Sequence, residues 1–127
     1  AIAARFREQN HGSLVVISSV AGDRGRQSNY AYGAAKGAIT LYTQGLAHSL
    51  ASTGAHATAI KLGFVDTPMT DGMDKSGALW ASPAQVATTI RKAADTTGPI
   101  HYGPWFWRWI MLIIRAVPAF IFHRTKL

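Results

Sequence analysis

Residues 12–22 read Gly-Ser-Leu-Val-Val-Ile-Ser-Ser-Val-Ala-Gly, and residues 30–36 read Tyr-Ala-Tyr-Gly-Ala-Ala-Lys. The unbroken apolar run from Leu14 to Ile17 predicts a strand buried on both faces of a parallel sheet. The segment from Tyr30 to Ser52 predicts a helix, closed by Gly54 as its C-terminal cap. A strand followed by a long helix is the unit from which parallel α/β sheets are built.

Tyr32 and Lys36 are four residues apart, so a helix places their side chains on one face, one turn apart. A phenol in water has a pKa near ~10, and a nearby ammonium group lowers that value toward the working range of an enzyme. The pair therefore predicts a proton donor and acceptor, Tyr32, supported by the charge of Lys36. Ser19 ends the apolar strand thirteen residues before Tyr32, where its hydroxyl can hydrogen-bond the oxygen that Tyr32 protonates.

These segments resemble the short-chain dehydrogenase/reductase family. The similar blocks are residues 12–22, 32–38 and 62–69, and they occur in the family's order. The resemblance covers roughly residues 1–103. It implies an oxidoreductase that uses either NAD or NADP and interconverts a ketone and a secondary alcohol.

The same resemblance implies the roles of individual residues. Ser19, Tyr32 and Lys36 match the catalytic residues of the family, and its spacing selects Ser19 over the adjacent Ser18. The positions that match cofactor contacts are Tyr32, Lys36, Gly63, Val65 and Thr67. Leu62 departs from the family, which has the proline of a Pro-Gly pair at this position.

One part of the family's domain is missing from the sequence. A dinucleotide-binding unit opens with a strand, a glycine-rich turn and a helix whose N-terminus holds the pyrophosphate. No Gly-x-x-x-Gly-x-Gly turn of this kind occurs among the 127 residues. We therefore expect residues 1–103 to be the C-terminal half of a Rossmann-type doubly wound parallel sheet, and this fragment to be inactive by itself.

The remaining segments alternate between helices and strands. Residues 1–9 predict the end of a helix, His56 to Leu62 a second strand and Ile100 to Tyr102 a brief last one. Residues 82–85 predict a helix start, because Ser-Pro-Ala-Gln is a capping-box pattern. Residues 63–81 predict a loop that closes over an apolar substrate with Met69, Met73, Leu79 and Trp80.

The composition limits the classes of function. Zero cysteines exclude disulfides and thiolate metal sites and fit a cytoplasmic protein, and the five histidines lack metal-ligand spacing, so no metal is predicted. The net charge of +7 admits nucleic-acid binding, but the basic residues are not clustered. We interpret four charged residues as solvated charges at the rim of the cleft, of which Arg26 is the candidate for an anionic substrate: Asp23, Arg24, Arg26 and Asp66.

Residues 104–127 predict an apolar, basic C-terminal helix. Three tryptophans fall within residues 105–109, and Arg108 and Arg115 lie seven apart on one stripe. The run is too short and too charged to span a bilayer, but it has the pattern of a helix lying in the membrane interface. The alternative is a helix packed on its own domain or on a partner subunit. The tail is also similar, at Pro118, Ile121 and Phe122, to the decaprenylphosphoryl-ketoribose reductase branch, which reduces a ketosugar on a polyprenyl phosphate.

The function hypothesis is therefore a nicotinamide-dependent reductase acting on a small-molecule, lipid-linked or other hydrophobic carbonyl substrate. The alternative is an inactive membrane-surface adaptor that retains the reductase fold. Because the helix from Tyr30 to Ser52 has little charge, we also expect the full-length protein to form a homo-oligomer.

Overall fold

The computed structural model describes residues 2–126, and within them the chain has the predicted α/β fold. Ala1 and Leu127, at the limits of the predicted ranges, lie outside the described residues. The strands are β1 Gly12–Ser19, β2 Ala55–Leu62, β3 Phe64–Val65, β4 Trp80–Ala81 and β5 Ile100–Gly103. The helices are α1 Ile2–Gln9, α2 Tyr30–Ser49, α3 Pro83–Ala94, α4 Trp107–Ala116 and α5 Ala119–Phe122.

The main sheet of the described residues is parallel, in the order β1, β2, β5. Alternate side chains of β1 point to opposite faces of this sheet. On one face, Leu14 packs against Leu46 of α2 and the fully buried Leu50. On the other face, Thr89 of α3 lies over Gly103 of β5. The carboxyl ends of β1 and β2 therefore emerge between two helical layers, where parallel sheets bind their ligands.

Helix α2 ends at Ser49, so the prediction of a helix to Ser52 capped by Gly54 is wrong. The backbone turns at Leu50, whose N–H donates to Leu46 O and Ala47 O. Gly54 instead allows a close approach to Asn10, because a Cβ at this glycine would lie 2.3 Å from Asn10 O. Its N–H donates to Asn10 Oδ1 at 2.9 Å.

Residues 64–81, which we call the flap, are more ordered than the predicted loop. The two short strands β3 and β4 pair with each other, and Pro68–Thr70 form a 3-10 turn between them. Phe64 stacks on Trp80 with the ring centroids 5.2 Å apart, which joins the two ends of the flap. The predicted capping box then starts α3, since Ser82 and Gln85 exchange side-chain to backbone hydrogen bonds.

The tail forms two helices instead of the single helix predicted for residues 104–127. Pro118 separates α4 from α5, because proline cannot donate the backbone hydrogen bond that a continuous helix needs. One face of α4 packs on the domain, with Trp107 and Met111 each 5% exposed against Val20. Among residues 2–126, no helix combines the length and apolar character that crossing a bilayer requires.

Candidate active site

A cavity of about 640 Å³ opens at the carboxyl ends of β1 and β2. Every residue that the sequence predicted for catalysis or cofactor binding lies in its wall: Ser19, Tyr32, Lys36, Gly63, Val65 and Thr67. These residues come from β1, α2 and the segment after β2, so only the fold brings them together. Their shared cavity supports the predicted site, while their individual roles stay predictions.

Tyr32 and Lys36 occupy the first two turns of α2, on the side that faces the cavity. The Lys36 Nζ lies 5.7 Å from the centroid of the Tyr32 ring, so the ammonium charge is close to the phenol. This Nζ also donates to Ile17 O at 3.0 Å, which anchors it to β1. An ammonium group has three donors, so Lys36 keeps donors for other partners. Tyr32 is 42% exposed, so its hydroxyl remains accessible.

Ser18 and Ser19 have different partners, as expected for neighbours on a strand. The Ser18 hydroxyl is bound to α2, with Lys36 O at 3.0 Å and Thr40 Oγ1 at 2.6 Å. The Ser19 hydroxyl lies at the end of β1, where it accepts from Ala21 N at 3.1 Å and donates to Leu62 O at 3.3 Å. Ser18 therefore holds strand and helix together, while Ser19 stands at the cavity.

Backbone contact between two segments sets the position of Ser19 relative to Tyr32. Residues 20–24, directly after Ser19, form what we call the serine turn, and its 3-10 turn Val20–Gly22 packs on the first turns of α2. A Cβ at Gly22 would lie 2.6 Å from the Gly37 nitrogen, and one at Gly33 would lie 2.8 Å from Ala21 O. Because these neighbours are backbone atoms, no side-chain rearrangement makes room for a methyl group.

Gly22→Ala is therefore expected to displace the serine turn from α2 and to lower the free energy of unfolding by about 1–3 kcal/mol, as overpacking does. Gly25→Ala is the matched control, because a Cβ at Gly25 meets nothing within 4 Å. Urea unfolding of both variants measures the difference. Equal stability of the two variants would show that this contact does not fix the turn.

The predicted cofactor segment follows β2 directly. Gly63 donates its N–H to Gly103 O at 3.0 Å, and Trp107 covers it so closely that a Cβ would lie 1.9 Å from Nε1. Two buried polar atoms of cavity residues, Trp107 Nε1 and Asn29 Oδ1, find no hydrogen-bond partner within the described residues 2–126. These two atoms are buried, whereas the Lys36 ammonium lines the cavity with donors to spare, which fits a ligand with hydroxyl groups such as a nicotinamide ribose.

The rest of the cavity is predominantly apolar. The flap contributes Phe64 and two of the four residues predicted to close over a substrate, Met69 and Met73. The other two, Leu79 and Trp80, are not among the lining residues, since Trp80 stacks on Phe64. Helix α3 and the inner face of α4 complete the wall with Val86, Ile90, Trp107, Met111 and Ile114. An apolar pocket with a few polar groups is the usual form of a small-molecule site.

A buried polar cluster was missed by the sequence analysis. Asp23, predicted to be a solvated rim charge, has its side chain only 3% exposed and forms an ion pair with Lys61. It also accepts from the Tyr102 hydroxyl at 3.0 Å. The signal was Lys61, placed between Ile60 and Leu62 in a predicted strand, since lysine is almost never buried without a partner. The cluster joins the serine turn to β2 and β5.

Arg24 is also not the solvated charge that was predicted. Its Nη1 donates to Ile114 O and, at 2.6 Å, to Val117 O, and its guanidinium lies 3.8 Å from the Phe122 ring centroid. It thus caps the carbonyls at the end of α4 and ties the serine turn to the tail. Arg26 lines the cavity, in line with its prediction, whereas Asp66 pairs with Lys75 on the flap.

Burial and the Asp23 carboxylate raise the pKa of Tyr102 to about 12. The folded state therefore favours the neutral phenol. The contribution of the neutral Tyr102 phenol to the free energy of unfolding is fully present below the ordinary tyrosine pKa of about 10. It is lost as the pH rises through the folded-state pKa of about 12. We expect the ultraviolet titration curve of the wild type to differ from that of Tyr102→Phe by one tyrosine with a pKa of about 12. A difference curve with its midpoint at the ordinary tyrosine value would contradict this assignment.

Comparisons with known proteins identify the family of the chain. The model of the short chain dehydrogenase family matches residues 1–77. An uncharacterized oxidoreductase of Mycobacterium tuberculosis is 37% identical over 123 residues, which are 97% of this chain and 49% of that protein. A second uncharacterized oxidoreductase, from Streptomyces coelicolor, is 34% identical over 121 residues, which are 95% of this chain and 47% of that protein. The chain thus spans about half the length of these curated relatives.

Solved structures give the same fold. A short-chain dehydrogenase from Streptomyces avermitilis superposes with a TM-score of 0.69 and 25% identity, covering 89% of this chain and 50% of that one. Actinorhodin polyketide ketoreductase, solved with NADPH, gives a TM-score of 0.63 at 24% identity, covering 76% and 47%. With the family match over residues 1–77 and the site gathered in one cavity, the chain belongs to the short-chain dehydrogenase family.

Proposed function

We propose that the whole protein is an oxidoreductase that interconverts a ketone and a secondary alcohol with NAD or NADP. The observation behind this proposal is the single cavity that gathers Ser19, Tyr32 and Lys36 with Gly63, Val65 and Thr67. When bound, the nicotinamide supplies a hydride to the carbonyl carbon or accepts one from the alcohol. Lys36 and Tyr32 would hold its ribose, and Gly63, Val65 and Thr67 would border its carboxamide.

The residues of the chain handle the proton and the oxygen. Tyr32 gives its hydroxyl proton to the ketone oxygen as that oxygen becomes an alcohol, and takes a proton in the reverse direction. Lys36, 5.7 Å from the ring centroid, stabilises the resulting phenolate by its charge. Ser19 presents its hydroxyl to the same oxygen and orients the carbonyl. The apolar flap and α4 exclude water from the reacting atoms.

We infer a hydrophobic carbonyl substrate, because apolar side chains from the flap, α3 and α4 form most of the cavity wall. The similarity of the tail to the decaprenylphosphoryl-ketoribose reductase branch makes a ketosugar on a polyprenyl phosphate one candidate. We place the enzyme in the cytoplasm, acting at a membrane surface. The exposed Leu41 and Tyr42 of α2, 68% and 70% accessible, support a homo-oligomer formed through this helix.

The test uses the whole protein and follows nicotinamide absorbance with a short-chain and a long-chain methyl ketone. We expect oxidation of the reduced cofactor with both ketones and a lower KM for the longer one, because it fills more of the apolar cavity. Saturable cofactor binding without turnover of any ketone or alcohol would instead support the inactive adaptor.

We further propose that these 127 residues do not catalyse the reaction alone, because they contain no glycine-rich pyrophosphate-binding turn. Fluorescence titration of the 127-residue chain with reduced nicotinamide cofactor tests this. Micromolar affinity would show that the turn is dispensable.

A further inference from the structure

Helix α4 has two apolar faces separated by a basic stripe. Trp107, Ile110, Met111 and Ile114 face the domain, where three of them line the cavity. Successive residues of a helix are rotated by about 100°. This rotation places the exposed residues of α4 on the side away from the domain. It also places Arg108 and Arg115 about 20° apart, between the two apolar faces. A helix that is packed on one side is normally polar on the other, so the outer face requires an explanation.

The exposed apolar side chains of the tail form what we call the outer tail surface. Its members are between 47% and 72% exposed: Trp105, Trp109, Leu112, Ile113, Phe120 and Ile121. Exposed hydrophobic residues scattered singly are normal, whereas a group of this size in 17 consecutive residues marks a binding surface. Two of the six are tryptophans, the residue most typical of the boundary between lipid and water.

The charged side chains of the tail itself are all of one sign. Residues 101–127 contain Arg108, Arg115, Arg124 and Lys126 and no acidic residue. Within the described range 2–126, neither Arg108 nor Arg115 forms an ion pair with a carboxylate. A second cavity, of about 630 Å³, lies beside this stripe and is bordered by both arginines, by Tyr102 and by the ion pair of Asp23 and Lys61. The surface thus joins an apolar patch to unpaired positive charge.

We propose that the outer tail surface docks on an anionic phospholipid bilayer, with its apolar side chains in the interface and Arg108 and Arg115 against lipid phosphates. Charge complementarity favours this occupant over a second copy of the chain, because a second copy would bring the same unpaired arginines against this stripe. Apolar burial and electrostatic attraction add in such binding, which makes it depend on lipid charge and on salt. The inner face of α4 would then hold the catalytic cavity directly above the lipid.

The experiment is co-sedimentation of the whole protein with vesicles of phosphatidylcholine alone or mixed with phosphatidylglycerol, without cofactor or substrate. We expect binding to the anionic vesicles that weakens with salt. Arg108→Gln/Arg115→Gln should lower the partition coefficient on anionic vesicles by about thirtyfold. Trp109→Ser/Ile113→Ser should lower it by about a hundredfold on both kinds of vesicle.

Matched controls come from other helices. Arg91→Gln/Lys92→Gln removes two exposed charges from α3, and Ile2→Ser removes an exposed isoleucine from α1, so both should bind like wild type. Weak wild-type binding to anionic vesicles, or equal losses in the controls, would overturn the proposal. A wild-type dimer that Trp109→Ser/Ile113→Ser converts to a monomer, with no vesicle binding, would show that a second copy covers the surface. The ketone assay is independent, so failure here leaves the proposed reaction standing.

Discussion

Tyr32→Phe is expected to lower kcat of the whole protein by about 10²–10⁴-fold, the usual contribution of a positioned acid–base group. Phenylalanine keeps the ring beside Lys36 and removes only the hydroxyl that carries the proton. The Lys36 ammonium, anchored to Ile17 O at 3.0 Å, should stay in place, so cofactor affinity should fall only by the one ribose contact assigned to the Tyr32 hydroxyl. Stopped-flow and steady-state measurements of nicotinamide absorbance, with a separate binding titration, distinguish the two effects.

Tyr30→Phe is the matched control. Tyr30 lies two residues away on the same helix, is 72% exposed, and is followed four residues later by alanine instead of lysine. Removal of the Tyr30 hydroxyl should leave kcat unchanged. A Tyr32→Phe variant that turns over like wild type would mean that another group moves the proton, and a similar loss in both variants would indicate a general effect on α2.

Asp23→Ala should lower the free energy of unfolding by about 3–5 kcal/mol, the cost of leaving one member of a buried ion pair without its partner. The side chains of Lys61 and Asp23 are only 8% and 3% exposed, so the Lys61 ammonium would stay largely shielded from bulk water after the carboxylate is lost. The Tyr102 hydroxyl loses its acceptor in the same variant. Urea unfolding with a linear extrapolation measures the loss.

Two further variants test whether the loss of stability in Asp23→Ala comes from the unpaired buried charge. Asp23→Ala/Lys61→Met should recover part of the stability, because the uncompensated ammonium is removed as well. Asp66→Ala breaks the ion pair with Lys75, in which the Lys75 side chain is 28% and the Asp66 side chain 57% exposed. This variant should lower the free energy of unfolding by only about 0–1 kcal/mol. If Asp23→Ala costs no more than Asp66→Ala, the cluster is not a structural anchor.

Patterns local in the sequence predicted most of the fold. The apolar run Leu14–Ile17 lies inside β1, and the capping box at Ser82 starts α3. The Tyr-x-x-x-Lys spacing predicted the shared helix face because helical geometry depends on neighbours only. The end of α2 was misplaced because burial of Leu50, a tertiary contact, stops the helix before the glycine that local rules favoured.

The features that sequence reasoning missed depend on residues far apart in the chain. Asp23, Lys61 and Tyr102 belong to three different elements, and only the parallel register brings Lys61 beside Tyr102. Which face of α4 packs inward could not be predicted either, since both faces are apolar. The pattern indicated an amphipathic helix, but the cavity and the serine turn determine its rotation.

Helix α4 is a wall of the 640 Å³ cavity on one side and an exposed apolar surface on the other. A ligand that binds one position of this helix more tightly therefore changes binding at both the cavity and the outer surface. Thermodynamic linkage makes this change in affinity reciprocal. If a lipid surface tightens substrate binding by a given factor, substrate must tighten binding to that surface by the same factor. Substrate would then help to retain the enzyme where further substrate is found, and its release would free the enzyme to leave.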